Sequence, residues 1–571
     1  MRLPQIRVGS SAMNASEDGE SGIRYRARPF VCGAIGNWTP PLVAGLTEHA
    51  PTALSAFVGR DDFVLFGSGR TDRWRATGSV GHRWGALASG PPPRHWRDAS
   101  EGWMSAGAEI NEAYVALHAD ALGMQDLYYR RIGDAVYFAG RMEPLVDMDD
   151  ARLGINWGAW ASTLALTAPI GEDTPFAEIR RLRAANAWVL RDGRLSLESF
   201  EPSWMAEELD PAFGAADAVD AVAGSLRSTR RTVIALSGGW DSRLLGILAR
   251  RRHSRMRAWT TSPDDGRDHD VEYAGPVAEA LGMKHHVLIP DAGAWVSEHA
   301  AVRRRVEFQT VHHTWLMPLA RALHRDGAPL LDGLAGDVLF KASFVSDALV
   351  DERDPELQRQ WLWEGLEDGR LRADDLLRPA VADSFIDINR DAFKAAVAPF
   401  AGHSAAVTLG KLHTRAARSI ASSPLWVLGP EINVELPFLH PDVLKAAVRV
   451  PLSSKVNGEF YRRMVEAADP RIAALPSTND GRPLAPAGAR RQTSPESLKV
   501  LTDHVRSCEI VMGLFSPEGR EAMLDAALRG PGSARRRKFK MLTWASLFAD
   551  WLQHYRSKLV LEDFPMDRAA R

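Results

Sequence analysis

The hexapeptide Ser237-Gly238-Gly239-Trp240-Asp241-Ser242, set directly after the apolar run Thr232-Val233-Ile234-Ala235-Leu236, constrains this chain more than any other feature. The run is short, partly β-branched and uncharged, as a buried parallel strand is. Residues 243–252 then read as a helix. A strand that turns through two glycines into a helix directs backbone N–H groups and the positive helix end outward, where phosphate oxygens can be held. The loop therefore reads as one that grips a nucleotide pyrophosphate. The Asp241 carboxylate would sit among anions and cannot itself be a phosphate ligand; a bridging Mg2+ accounts for it. No Walker pattern competes, because the Gly410-Lys411 pair is followed by Leu412 and lacks the upstream glycine.

At 571 residues the chain has room for about two to four domains. A formal net charge of -2 and a pI near 6.8 give no footprint for nucleic acid. Two cysteines, Cys32 and Cys508, are too few and too far apart for a disulfide framework, so a reducing cytosol is the expected compartment. Residues 1–28 are polar, with no apolar stretch of signal-peptide length, and read as a flexible leader. No apolar stretch approaches the ~20 residues needed to span a bilayer. Lysines number ten against sixty arginines, which leaves few positions for a lysine that acts on the chemistry.

From Phe30 the chain reads as β-rich. Expected strands are 29–35, 62–66, 113–118, 127–131, 135–139, 157–166, 176–182, 187–191 and 195–200. Pro202, the acidic run after it and Pro211 place a boundary near 203–212. Beyond it, strands at 232–236, 257–261, 284–289 and 329–331 alternate with helical patterns such as 271–281 and 316–324, the signature of an α/β domain with a parallel sheet. After about residue 350 the pattern is mostly helical, interrupted by loops at 476–493 and 530–537. A second acidic loop, Asp332-Gly333-Leu334-Ala335-Gly336-Asp337, ends the strand 328–331. Ligands bind at the carboxyl edge of open parallel sheets, so Asp241 and Asp337 are expected to hold one Mg2+ from two strand ends.

At these residues the chain resembles the asparagine synthetase family. The likeness is carried by residues 236–242, by Asp270-Val271-Glu272-Tyr273-Ala274 through Leu281-Gly282 to His285-His286, by 332–340, and by Pro437-Phe438-Leu439-His440-Pro441. Upstream, Val31-Cys32-Gly33-Ala34-Ile35-Gly36, Asp126-Leu127-Tyr128-Tyr129 and Glu178-Ile179-Arg180-Arg181-Leu182 are similar, more loosely, to that family's amidohydrolase-type domain. The resemblance implies an α/β protein in two parts behind the leader: a degenerate, catalytically inactive Ntn-type αββα sandwich at 29–205, and an adenine nucleotide alpha hydrolase-like synthetase domain at 206–571 with a helical end. It implies ATP and Mg2+ as cofactors and adenylation of a carboxylate, followed by attack of an amine. By similarity Ser237, Gly238, Gly239, Asp241 and Ser242 cradle the phosphates. The strand 258–261, with Thr260, runs along the adenine, and Asp332 and Gly333 complete the nucleotide site.

Departures from the family narrow the reading. The glutamine-using members open on a cysteine, whereas Cys32 here follows thirty-one residues, carries an amide in place of a free α-amine and reads as a buried strand residue. Leu334 stands where relatives have glutamate or tyrosine. The family's glutamate aligns with Asn433 and its arginine with Glu435, both kept as candidate catalytic positions. The family's loop lysine is missing at about Thr478 or Asn479, and Arg482 is the expected substitute. A kept adenylating centre with a silent glutaminase resembles the lasso peptide cyclases, macrolactam synthetases that act on a peptide beside a leader-binding protein and a leader peptidase. Alternatives are a β-lactam synthetase, which Leu334 disfavours, a true asparagine synthetase, which Cys32 disfavours, and a non-catalytic nucleotide-binding regulator. Adjacent histidines at 285–286 and 312–313 point to opposite faces of an extended chain and do not read as zinc ligands. The basic run 535–538 reads as a solvated helix start.

Overall fold

The structure, a computed structural model, describes residues 28–562 and 564, except 70–71, 77, 86–94, 101–103, 227–230, 253–254, 263–267, 312, 344, 368, 373–374, 481–493 and 529–531. Residues 1–27 of the expected leader, Arg482 and His312 lie outside the described residues.

Two six-stranded antiparallel sheets occupy residues 31–199. The first has the spatial order Ile179–Arg181, Tyr128–Ile132, Ala135–Ala139, Val31–Gly36, Phe63–Gly67 and Ser55–Gly59. The second runs Arg194–Ser199, Asn186–Arg191, Tyr114–His118, Ser105–Ile110, Ser79–Gly85 and Asp72–Ala76. They pack face to face through one apolar cluster in which Val31, Ile35, Phe63 and Leu65 meet Trp84, Ala106, Val115 and Leu117. Alternation explains the rest of the strand Val31–Gly36: Cys32 and Ala34 point the other way, into the cluster that holds Val43 and Leu46 of the helix Pro40–Glu48.

One expected strand is a helix. Trp157–Leu166 is helical, capped by Asn156, whose side chain accepts the Ala159 N–H. Its residues from Ala159 to Leu166 are all buried, so no polar face gave a helical period, and a short apolar run reads equally well as a strand. Trp160 stacks on Phe548 with centroids 4.2 Å apart. That contact ties the amino-terminal region to the long helix Gly532–His554, which begins inside the expected loop 530–537. Ala534, Arg535, Arg536, Arg537 and Lys538 are good helix formers.

The carboxyl-terminal half is built on a five-stranded parallel sheet. Its order is Lys284–Leu288, Arg255–Thr261, Arg231–Ala235, Leu330–Leu331 and Val434–Glu435. In the central strand Val233 and Ile234 are fully buried. From it the chain builds outward through Arg255–Thr261 and Lys284–Leu288, then returns to the opposite side at Leu330–Leu331. The strand order reverses there, and such a switch point opens a crevice at the carboxyl ends of the two neighbouring strands. Among the described residues after 345 helices dominate, as the pattern predicts, and the two-residue edge strand Val434–Glu435 is the one named strand.

Candidate active site at the switch point

The loop 237–239 follows the central strand, and the helix Trp240–Arg250 starts earlier than expected, with Gly239 as its N-cap and Asp241 in its first turn. Ser242 folds back to close the loop: its Oγ accepts the Ser237 N–H at 2.9 Å and lies 3.0 Å from Ser237 Oγ. The Gly238 N–H donates to Asp270 Oδ1 at 2.9 Å, so an anion already sits on a loop amide. Glycine is required at 238 by close approach. A Cβ there would lie 2.8 Å from Thr478 Cγ2 and 3.1 Å from Tyr273 Cβ. Thr478 also donates its N–H to Gly238 O at 3.1 Å, which lays the segment 477–480 on the loop. Arg243, buried on the same helix, holds that segment by donating to Leu475 O at 2.7 Å and Pro476 O at 2.6 Å.

The second acidic loop meets the first. The Asp337 N–H donates to Asp241 Oδ2 at 3.3 Å. A Cβ on Gly336 would lie 2.9 Å from Asp241 Oδ1 and 2.6 Å from Tyr461 Oη, and one on Gly333 would lie 2.9 Å from Asp241 Cβ. Burial, reinforced by the facing Asp337, pushes the Asp241 carboxyl up to about 8. Tyr461 Oη borders the pair and donates to the Asp241 carboxyl, and burial beside Asp241 raises its pKa well above the usual phenol value. Two facing carboxyl groups, Asp241 and Asp337, form the start of a donor set of oxygens that fits a hard divalent cation. Among the described residues no group of three or more His, Cys, Asp or Glu is placed to hold a metal. Further oxygens for an ion at Asp241 and Asp337 therefore have to come from elsewhere, and nucleotide phosphates are such a source.

The other expected residues fall into two groups. Asp332 stands at the strand end, its Oδ1 accepting the Leu334 N–H at 2.8 Å, and burial lifts its pKa to about 6. Leu334 is buried. Glu435 is buried at the carboxyl end of the edge strand, where its carbonyl accepts the Asp332 N–H at 3.0 Å. Thr260 spends its hydroxyl inside the sheet, 2.7 Å from Leu236 O and 2.8 Å from His285 Nε2, which leaves it a structural pin and gives His285 a partner other than metal. Asn433 lies one residue ahead of the edge strand, where its carbonyl accepts the Leu330 N–H at 2.8 Å, at the end away from the crevice.

Three cations at the site were not anticipated. Lys341 follows the short helix Gly336–Phe340; its Nζ donates to Asn479 Oδ1 and lies 5.5 Å from the Trp240 ring centroid. Lys411 is buried with no hydrogen-bond partner for Nζ, and burial lowers its pKa to about 8. It shares with Arg415 an electrostatic contact to Asp337. Lys411 ends the helix Ala406–Lys411, and Arg415 lies in its π-helical continuation, Leu412–Ile420, an irregularity frequent at functional sites. On its other side His413, Ala417 and Arg418 line a cleft of about 570 Å³ against residues 121–123 and 183–186 of the amino-terminal sheets. The rarity of lysine was a usable signal for Lys341, four residues after Asp337; nothing in the sequence marked Tyr461.

Cys32 lies far from this chemistry in kind. It is fully buried, paired in register with Phe66 on one side and Ala139 on the other, and burial raises its thiol pKa far above the range of a nucleophile.

A glycine loop at a helix N-terminus and two facing carboxyl groups at the switch point of a parallel sheet make an arrangement that can take the phosphates of a nucleotide. The chain belongs to the asparagine synthase family, whose model matches residues 217–553, more than half of its length. It is accordingly an ATP-using ligase that forms amide bonds, in a family that typically uses Mg2+ with its ATP. No curated protein matches the chain. Among solved structures it is similar to a glutamine phosphoribosylpyrophosphate amidotransferase from B. subtilis complexed with ADP and GMP, at 9% identity and a TM-score of 0.20, covering 45% of this chain and 90% of that one. A structure described as the allosteric regulatory enzyme of purine biosynthesis matches at 10% identity and a TM-score of 0.20, covering 46% and 80%. Likeness at that level carries no functional argument. Among the described residues no helix is long and apolar enough to cross a membrane.

Proposed function

We propose that this protein adenylates an Asp or Glu side chain of a peptide and joins it to the same peptide's N-terminal amine, forming a macrolactam of the lasso peptide kind with release of AMP and pyrophosphate. The observation that carries the choice is Cys32. A thiol held between two strands and shielded from water is no source of ammonia from glutamine, so the amine has to arrive by another route. An amine on the same molecule as the activated carboxylate meets that need and gains the effective concentration of an intramolecular reaction.

In this reading the positive end of the helix Trp240–Arg250 orients the phosphates, since the backbone N–H groups of 237–239 are already taken by Ser242, Asp270 and Ser237. Asp241 and Asp337 would hold Mg2+, and the ion would supply positive charge against the pyrophosphate. A peptide carboxylate oxygen attacks the α-phosphorus, the bond to the β-phosphate oxygen breaks, and pyrophosphate leaves with that electron pair. The amine then displaces AMP from the acyl carbon and gives up its proton. Arg482 and Asn433, expected from the resemblance, are further candidates, with Glu435 better placed than Asn433 at the crevice. A leader-binding protein and a leader peptidase are the proposed partners.

The test is ATP consumption with three classes of acceptor: free aspartate, a β-amino acid, and a leaderless peptide with an acidic residue several positions from its amine. Turnover with the peptide alone, with loss of one water from its mass, is the expected result. Turnover with aspartate and glutamine instead would overturn the proposal.

A further inference from the structure

An adenylating site must hold more negative charge than one Mg2+ neutralises, since magnesium pyrophosphate remains anionic as it departs. Lys341 is fixed from three sides beside the loop where that charge would lie. Its backbone N–H donates to the backbone carbonyl of Asp337 at 3.0 Å, so it sits one turn beyond Asp337, at the C-cap of the same short helix. Its ammonium lies over Trp240, the first residue of the helix whose N-cap is Gly239. Its Nζ is hydrogen-bonded to Asn479, whose Nδ2 is 3.8 Å from the position a Cβ would take on Gly239. The stem passes Gly458, where a Cβ would come within 3.3 Å of Lys341 Cγ and 2.7 Å of the Trp240 ring. An ammonium has three donors and the Asn479 carbonyl takes one.

We propose that Lys341 is a catalytic residue of this site, the cation that grips the β- and γ-phosphates of ATP and the pyrophosphate they become. The proposal rests on the adenylating reading above. Lys341 enters the site from the acidic loop, and Asn479 on the overlying segment sets the position of the ammonium. A lysine so held strengthens as charge builds on the leaving group, which is the condition for lowering the barrier.

The experiment measures binding of magnesium pyrophosphate and of AMP, separately, to the full chain and to Lys341→Gln, Lys341→Met and Lys341→Arg, by calorimetry and by ligand-induced thermal shift. The expected result is a tenfold or greater loss of pyrophosphate affinity in the Gln and Met variants, partial retention in Arg, and unchanged AMP affinity in all three. Lys341 is partly exposed, and the unchanged AMP affinity doubles as the control for folding. Undiminished pyrophosphate affinity in both neutral variants overturns the role of Lys341, as does an equal loss of AMP and pyrophosphate, which marks a structural pin. An unmodified protein that binds neither ligand overturns the adenylating reading and this proposal with it.

Discussion

The Asp337 N–H donates to the Asp241 carboxylate across 3.3 Å, and this contact joins two loops that leave neighbouring strands on opposite sides of a topological switch. The chain folds so that two acidic side chains face each other in a crevice largely withdrawn from water. That arrangement is costly without a cation and favourable with one.

Asp241→Asn is therefore expected to leave the unliganded protein as stable as the parent or more so, because it removes a buried acid whose ionised form burial and Asp337 disfavour, while abolishing the thermal shift given by MgATP. The measurement is Tm with and without MgATP. A variant that keeps the full MgATP shift contradicts the shared-ion arrangement.

Gly336→Ala tests the closeness of the loops. Its Cβ would fall 2.6 Å from Tyr461 Oη and 2.9 Å from Asp241 Oδ1, so the carboxylate has to move. The expected outcome is a stability loss of about 1–3 kcal/mol and a fall in ATP turnover of at least a hundredfold, followed by denaturant unfolding and product assay. Near-normal turnover would show that the loops have slack.

How much of this was legible in the sequence depended on whether a signal was local. The strand, the glycines and Asp241 are adjacent, and each has a local physical reason, so the loop could be read directly. The facing of Asp337 followed from a general rule about strand ends. Tyr461 and Lys411 reach the pair from helices more than seventy residues beyond Asp337, and no spacing rule links them to it. The helix Trp157–Leu166 was misread because its buried surface runs all round, leaving no period to detect. Thr260, which the resemblance sets along the adenine, spends its hydroxyl on Leu236 O and His285.

A pH effect follows from Lys455. It is fully buried, its Nζ donating to Ala447 O at 2.7 Å and Thr408 Oγ1 at 3.2 Å, and burial with Lys411 nearby lowers its pKa from 10.5 to about 7. The unfolded chain keeps this proton up to about pH 10.5 and the folded chain only to about pH 7. The resulting deficit in stability is complete below the lower value and is relieved as pH rises through the window. Relative to Lys455→Met, the parent should gain Tm between pH 7 and pH 10; a difference that stays flat contradicts the assignment.

Cys32→Ala should leave product formation unchanged, with or without glutamine, and cost little stability because one small apolar group replaces another between strands. A glutamine-dependent activity that disappears in this variant would restore ammonia as the nucleophile.

The most direct measurement is the fate of ATP when the protein meets Mg2+ and a leaderless acidic peptide, with nucleotides resolved chromatographically and pyrophosphate assayed in parallel. AMP and pyrophosphate are expected in equal amounts, matched by cyclised peptide, and none of the three from Asp337→Asn. ADP with inorganic phosphate, or undiminished AMP from Asp337→Asn, would contradict the adenylating reading.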